Sequence, residues 1–240
     1  MIVLFTDFGL EGPYTGEVYA RLLQQAPAVP VVNLFSDLAA FDVQAAAYLL
    51  PSYSRGFPPG TVFLCVVDPG VGGERPAVIL KANDYWDVGP NEGLFALVAR
   101  RADRVECHEL PAATGVSSSF HGRDVFAPVA AQLATGQAVD ARPVPAESVE
   151  QPGWPNDLFR VVYVDRYGNA VTGIRAGQLD ATRVLHVNGH ALHAQRTFSE
   201  VPAGTPFWYE NSSGLIELAV NRGRAHEQLG ARVGVTVTAT

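Results

Sequence analysis

The sequence predicts an α/β fold, with an N-terminal, mostly parallel sheet covered by helices on both faces and a C-terminal antiparallel β-barrel or sandwich. Strand-like and helical patterns alternate through the first half, which is typical of a parallel sheet. Residues 61–67 (TVFLCVV) are almost continuously hydrophobic, as expected for a strand that is covered on both faces. Beyond residues 138–155, which contain four prolines, the pattern changes to short strands and turns. We therefore expect domains at residues 1–140 and 156–240 and a linker at residues 141–155.

The elements of the N-terminal domain follow from the spacing of apolar residues. Strands are predicted at residues 2–5, 29–35, 61–67, 77–81 and 105–110. Helical spacing is present around residues 18–23 and at residues 43–50, 94–101 and 125–133.

In the C-terminal domain, residues 159–164 and 170–174 are predicted strands joined by a turn. Residues 184–187 and 190–193 flank Asn188-Gly189, a dipeptide that favours a type I′ hairpin. Further strands are expected at residues 207–209, 215–220 and 233–238, with a short helix near residues 224–229.

Composition excludes several classes of protein. The 240 residues are 48% hydrophobic and carry a net charge of −7, which argues against disorder and against binding to nucleic acid or an anionic membrane. No apolar run is long enough to span a bilayer, and the N-terminus lacks the basic region of a signal peptide. Cys65 and Cys107 lie in strand-like runs, so we expect no disulfide and a cytoplasmic location. His186, His190 and His193 surround a hairpin turn and face different sides, so no metal site is expected.

Two acidic residues follow predicted strands, in glycine-rich settings that allow the backbone to approach a ligand closely. Asp7 lies in TDFG and Asp68 in DPGVGG. Ligands of parallel sheets bind outside the carboxyl ends of the strands, which makes both residues candidates for a site. Neither segment matches a dinucleotide-binding or P-loop pattern. The alternative is that each carboxylate only caps the loop that follows its strand.

Arg75 and His121 are the other candidates. Arg75 follows Asp68 by seven residues across a glycine-rich turn and could pair with it, either in a site or as an ordinary surface ion pair. His121 lies among small and polar residues before a helix, where it could titrate near neutrality or have no role. Asp124 is expected to be structural, through Arg123 or the first helical turn. Ser117–Ser119 lack the setting of a nucleophilic serine.

Taken together, these segments resemble one family. They are TDFG at 6–9, VVDPGVGGER at 66–75, GPNEGL at 89–94, SFHGRDVFAP at 119–128, DRYGN at 165–169 and NSSG at 211–214. In this order they are similar to the S-adenosylmethionine hydroxide adenosyltransferases, the hydrolytic relatives of the fluorinase and chlorinase.

The resemblance implies hydrolysis of S-adenosylmethionine to adenosine and methionine by attack of water or hydroxide on C5′, without a cofactor. It also implies that the attacking water or hydroxide lies beside the side chains of Asp68, Arg75 and His121. It also implies a homotrimer in which the ligand lies between the N-terminal domain of one subunit and the C-terminal domain of its neighbour.

The resemblance further implies a set of substrate-binding residues. Asp7 and Phe8 match the first ligand loop, and Phe120 precedes the candidate histidine. The C-terminal set, expected around adenine and the methionine carboxylate and ammonium groups, is Asp165, Asn169, Tyr209, Ser212, Glu217 and Val220. The sequence departs from the family at Asn91-Glu92, where Asp-Asn usually follows Gly-Pro.

Three alternative functions remain open from the sequence. A halide-using adenosyltransferase would form 5′-chloro-5′-deoxyadenosine in the presence of chloride. A non-catalytic protein would bind adenosine or S-adenosylmethionine without turnover. The third is an unrelated small-molecule hydrolase.

Overall fold

Two seven-stranded sheets organise the chain, one in each of two units. The computed structural model describes all residues, Met1–Thr240, and the units are Met1–Pro152 and Gly153–Thr240. None of the helices in either unit has the length and hydropathy that a bilayer span requires.

The first sheet has the strand order β2-β1-β3-β5-β4-β6-β7. Its strands are β1 (Ile2–Thr6), β2 (Val31–Phe35), β3 (Val62–Val66), β4 (Ala77–Ala82), β5 (Tyr85–Pro90), β6 (Val105–Glu109) and β7 (Arg142–Val144). Pairing is parallel from β2 through β1 and β3 to β5, and antiparallel from β5 through β4 and β6 to β7. Since β6 is antiparallel to β4, five of the seven strands (β1, β2, β3, β5 and β6) run in one direction. The predicted mostly parallel sheet is confirmed.

Helices cover both faces of this sheet, as predicted. They are α1 (Tyr14–Gln25), α2 (Val43–Tyr53), α3 (Ala96–Arg101) and α4 (Ala127–Ala134). On one face, Leu4 and Leu64 pack in a buried cluster with Leu22 of α1 and Ala130 of α4. Residues one position further along each strand face the other side, because side chains alternate along a strand.

On that second face the core is aromatic. The ring of Phe5 lies 5.4 Å from that of Phe35, which in turn lies 5.0 Å from Tyr53 of α2. Asp42 caps the N-terminus of helix α2, because its Oδ1 accepts a hydrogen bond of 2.8 Å from the Ala45 N–H and so satisfies a free donor of the first turn.

Strand β5 was absent from the sequence prediction. It follows β4 through a two-residue turn, in which Asn83 has φ = 52°, a conformation that asparagine tolerates well. The alternating pattern of β5 is broken by Asp87, which is buried, so the segment does not look like a strand in sequence. Within the predicted linker, β7 pairs with β6 and Ala146–Val149 form a 3₁₀ turn.

The second sheet has the order β14-β10-β11-β12-β13-β9-β8. Its strands are β8 (Leu158–Val164), β9 (Ala170–Arg175), β10 (Leu185–Val187), β11 (His190–Ala194), β12 (Pro206–Glu210), β13 (Leu215–Val220) and β14 (Thr238–Ala239), and α5 (Ala225–Gln228) follows β13. All pairs are antiparallel except β11 with β12. A bridge between Arg160 and Thr236 links β8 to the segment before β14, so the sheet nearly closes into the predicted barrel.

The predicted hairpin is confirmed. Asn188 and Gly189 have φ values of 47° and 81°, as a type I′ turn between β10 and β11 requires.

The buried Asp87 makes the stability of the first unit depend on pH. Its side chain is 2% exposed, and burial raises its pKa to about 8. Because this folded-state pKa exceeds the ordinary value of 3.8, the stability that Asp87 contributes is complete below pH 3.8 and is lost as the pH rises to about 8. Between these limits the contribution of Asp87 to the free energy of unfolding falls steadily as the pH rises.

We therefore expect Asp87→Asn to flatten the decrease in unfolding free energy between pH 5 and pH 8, because the amide has no proton to retain. Urea unfolding of both proteins across this range is the measurement. Asp84→Asn, in the exposed turn of the same hairpin, is the control and should keep the wild-type slope. An unchanged slope in Asp87→Asn would contradict the assignment.

Candidate active site

The carboxyl ends of β1 and β3 bring Asp7 and Asp68 to the same edge of the first sheet. These strands are adjacent and parallel, and the Asp7 N–H donates to the Val66 carbonyl at 3.3 Å. Burial is the largest cause that raises the pKa of Asp7, and the negative charge of Asp68 adds to it. The Phe41 N–H, which donates to Asp7 Oδ2 at 3.0 Å, acts in the opposite direction.

Arg75 pairs with Asp68 through two parallel hydrogen bonds. Its Nε donates to Oδ1 at 2.7 Å and its Nη2 donates to Oδ2. The side chains of Arg75 and Asp68 are only 9% and 6% exposed. A buried bidentate pair is more rigid than an exposed ion pair. The Asp68–Arg75 pair is therefore not the ordinary surface ion pair that the sequence left open.

His121 completes the cluster from a distant part of the chain. Its Nδ1 lies 3.1 Å from Arg75 Nη2. A guanidinium can only donate, so Nδ1 accepts and the neutral imidazole carries its proton on Nε2. Burial, followed by the positive charge of Arg75, lowers the pKa of His121, so the ring is neutral at pH 7.

Gly72 allows the loop of Arg75 to approach the segment of His121. It has φ = 79°, and a Cβ at this position would lie 2.3 Å from the Ser118 carbonyl oxygen. A side chain at position 72 would push the two segments apart, so this position of the glycine-rich run requires glycine.

Aromatic rings lie beside this cluster. The rings of Phe8 and Phe120 meet edge to face at 5.6 Å, and Tyr14 contacts Phe120 in the same way at 5.3 Å. A Cβ at Gly122 would lie 2.7 Å from Phe8 Cζ, so the chain after His121 packs directly on this ring. The structure therefore brings Phe8 and Phe120, both candidate substrate-binding residues, into contact with each other.

The turn after His121 is fixed by charged side chains. Residues Gly122–Phe126 form a π-helical turn that leads into α4. Arg123 donates to both oxygens of Asp124, at 2.7 and 2.8 Å, and also to Glu17 of α1. The predicted structural contact between Asp124 and Arg123 is confirmed.

A second polar cluster lies in the C-terminal unit. The N–H and side-chain amide of Asn169 donate to Asp165 at 2.8 and 3.1 Å. Glu217 accepts from the Tyr209 hydroxyl at 2.6 Å and from Asn211 at 3.0 Å. Burial raises the pKa of Glu217, while these donors and Asn169 partly offset the shift. Four of the six C-terminal residues predicted from the sequence thus form one hydrogen-bonded group.

The other two predicted residues lie apart from this group. Ser212 is exposed, at the edge of a groove of about 710 Å³ that Asn211 also lines. Val220 is 1% exposed and belongs to the hydrophobic core of the barrel. It is three residues from Glu217 on the same strand and therefore faces the opposite side of the sheet.

Three residues of these clusters had no role predicted from the sequence, namely Phe41, Asn211 and Glu92. Phe41 has φ = 64° and a ring that is 73% exposed, beside Asp7. Asn211 belongs to the NSSG segment, which the sequence had already marked. Glu92 accepts a hydrogen bond from the Gly70 N–H, and its pKa responds to the charges of Asp68 and Arg75.

No group of three or more His, Cys, Asp or Glu side chains has an arrangement that could hold a metal ion. Both cysteines, Cys65 and Cys107, are buried and free.

Comparisons with known proteins match both units. Residues 2–142 match the SAM hydroxide adenosyltransferase N-terminal domain, and residues 159–238 match the C-terminal domain of the same family. The chain is 40% identical to (R)-S-adenosyl-L-methionine hydrolase of Thermus thermophilus, with 98% of each chain covered. It is 36% identical to (R)-S-adenosyl-L-methionine hydrolase of Salinispora arenicola, with 95% of this chain and 93% of the relative covered.

More distant relatives and solved structures agree with this result. A fluorinase from Actinoplanes is 23% identical, with 100% of this chain and 97% of the relative covered. The crystal structure of an uncharacterized conserved protein from Thermotoga maritima has a TM-score of 0.88 and 30% identity, and covers 100% of this chain and 99% of its own. The chain belongs to the SAM hydroxide adenosyltransferase family, whose N- and C-terminal domains correspond in order to its two sheets.

Proposed function

We propose that this protein hydrolyses S-adenosyl-L-methionine to adenosine and L-methionine by in-line attack of water or hydroxide on C5′. The observation that carries the proposal is the joining of Asp68, Arg75 and His121 through a bidentate ion pair and a 3.1 Å contact. The near-full-length similarity to proteins named (R)-S-adenosyl-L-methionine hydrolase supports this substrate and reaction.

The difficult part of this reaction is activation of the nucleophile. Methionine leaves as a neutral thioether, since the electron pair of the broken C5′–S bond neutralises the sulfonium, so the leaving group needs no acid. Ionising water, with a pKa of about 15.7, costs about 12 kcal/mol at pH 7. A carboxylate that accepts the proton as the O–C5′ bond forms reduces this cost, and alignment behind C5′ contributes several kcal/mol more.

The hydrogen-bond pattern supports separate roles for the three side chains. Nδ1 of His121 is occupied by the Arg75 N–H, which leaves Nε2–H to donate to the attacking oxygen. Each oxygen of Asp68 accepts one bond from Arg75 and retains a second lone pair. We therefore assign proton acceptance to Asp68, orientation of the water to His121, and orientation of Asp68 to Arg75.

The remaining predicted residues are proposed to bind the substrate. Asp7 offers a carboxylate and Phe8 and Phe120 offer ring edges beside the reacting groups. In the C-terminal unit, Asp165, Asn169, Tyr209, Ser212 and Glu217 offer carboxylates, amides and hydroxyls for adenine and the methionine ammonium and carboxylate groups. We retain Val220 only as a packing residue of this unit, because its side chain lies in the core.

We also propose that the protein is a cytoplasmic homotrimer, in which the N-terminal domain of one subunit and the C-terminal domain of its neighbour share each substrate, without a metal or other cofactor. The similarity to the family supports this assembly. The two free, buried cysteines suit a reducing compartment. The net charge of −7 suits a cationic substrate and disfavours nucleic acid as a partner.

We expect Asp68→Asn to lower kcat by about 10²- to 10⁴-fold, since the amide cannot accept the proton. The measurement is release of adenosine and methionine from S-adenosylmethionine, with ¹⁸O-labelled water to show that the new oxygen lies at C5′. Asp140→Asn, which changes an exposed carboxylate in the same unit, should retain full activity. Wild-type activity in Asp68→Asn would remove this residue from the mechanism.

We expect His121→Ala to lower kcat by about 10²-fold, the usual cost of losing one aligned donor. In the wild type, activity should fall only below the usual imidazole titration near pH 6.5, because the pKa of His121 is lowered. The kcat–pH profile is the measurement, and His190→Asn at the exposed hairpin is the control. A fall in activity that begins above pH 7 would contradict a neutral His121.

We expect Tyr209→Phe to raise KM for S-adenosylmethionine by about tenfold with little change in kcat. The change removes a bond to Glu217, a proposed substrate-binding residue, and leaves the three proposed catalytic side chains unaltered. Steady-state kinetics separate the two parameters. Tyr167→Phe, at a tyrosine that is 78% exposed, is the matched control. A loss confined to kcat would place Tyr209 in the chemical step instead.

A further inference from the structure

Glu92 adds a second carboxylate to the Asp68–Arg75–His121 cluster. It lies just after β5, and its half-buried side chain reaches the loop that carries Asp68 and Arg75. There it accepts a hydrogen bond from the Gly70 N–H. A Cβ at Gly70 would lie 2.1 Å from Glu92 Oε1, so the loop and the carboxylate are fitted to each other.

This carboxylate changes the net charge of the cluster. Asp68 and Arg75 cancel each other, and His121 is neutral at pH 7, so these three groups sum to zero. An ionised Glu92 brings the sum of these four groups to −1. Asp7, which faces Asp68, and Asp124, which faces His121, are further carboxylates around the cluster.

Small solutes have access to the cluster from one side. A cavity of about 330 Å³ reaches Arg75 and His121, and its lining also includes Gly72 and the carboxylates Glu74 and Glu109. A guanidinium at the end of such a cavity attracts small anions, chloride above all, unless nearby negative charges oppose them.

The geometry points to Glu92 as a specificity-determining residue that keeps halide ions away from Arg75 and leaves the position of the nucleophile to water. This inference rests on the proposed hydrolysis and adds a residue that increases its discrimination against halide ions.

Charge distinguishes the two nucleophiles. Water is neutral and is not repelled by Glu92; as it attacks, its oxygen bonds to C5′, the C5′–S pair returns to sulfur and Asp68 takes the proton. A halide would form a carbon–halogen bond with the same departure of sulfur and no proton transfer, but it must enter as an anion. A carboxylate beside Arg75 therefore penalises the halide route alone.

The charge of Glu92 depends on pH. Burial and the negative charge of Asp68 raise the pKa of Glu92, whereas Arg75 and the Gly70 N–H lower it. Because this pKa is raised, Glu92 loses its charge at a higher pH than an exposed glutamate does, so exclusion of halide should weaken as the pH falls.

The decisive variant is Glu92→Gln, which keeps an oxygen acceptor for Gly70 and removes the charge. We expect the inhibition constant of chloride for hydrolysis at pH 8 to fall by about tenfold, which corresponds to about 1.4 kcal/mol. Ionic strength is held constant by replacing sodium chloride with sodium glutamate. In the wild type, inhibition should strengthen as the pH falls, whereas in Glu92→Gln it should depend less on pH. Glu147→Gln removes an exposed charge from the same unit, outside this cavity, and is the matched control.

Chloride binding is also measured without turnover, by the broadening of the ³⁵Cl NMR line. Greater broadening by Glu92→Gln than by the wild type or Glu147→Gln supports the inference. This holds even if no variant turns over S-adenosylmethionine, in which case only the proposed hydrolysis fails. Equal broadening and equal inhibition constants in wild type and Glu92→Gln would overturn the inference, as would an equal effect of Glu147→Gln. If Glu92→Gln has a lowered Tm, Glu92→Asn, which also removes the charge, replaces it in both measurements.

Discussion

The candidate site depends on the guanidinium of Arg75. One edge of this planar group binds both oxygens of Asp68, and Nη2 also reaches Nδ1 of His121. Since a guanidinium has several donors and no acceptor, it fixes the orientation of a carboxylate and the tautomer of an imidazole at the same time. A lysine would supply the same charge without this geometry, so the proposed roles of Asp68 as acceptor and His121 as donor both depend on the shape of one side chain.

The sheets determine where this interaction can form. Adjacent parallel strands β1 and β3 end at one edge, so Asp7 and Asp68 lie close to each other although they are 61 positions apart in sequence. His121 arrives from the turn before α4, which Arg123 and Asp124 hold against α1. In the barrel, the cross-strand pair Tyr209–Glu217 forms the centre of the second cluster.

Much of this arrangement was predictable from local patterns. Hydrophobic runs located β1 and β3, Asn188-Gly189 located a hairpin, and glycine-rich strand ends marked Asp7 and Asp68. The partnership of Asp68 with His121 came from the family resemblance, because no local pattern encodes a contact between distant segments.

Strand β5 was not predicted because Asp87, a charged residue, occupies a buried strand position. Without β5, the sequence could not indicate that Glu92 lies at the edge of the sheet. Val220 shows the converse limit. Its proximity to Glu217 in sequence suggested a shared surface, whereas strand alternation places the two side chains on opposite faces.

Because Gly72 lies so close to Ser118, a substitution at this glycine would disturb the candidate site more than the fold. The glycine lies in a loop outside both sheets, at a point where an added methyl group would meet the Ser118 carbonyl oxygen. A side chain at this position would push apart the segments that carry Arg75 and His121, while the strands would remain paired. Natural variants with a substitution at position 72 would therefore be folded but inactive. Measurements of solubility or abundance alone would not detect the defect.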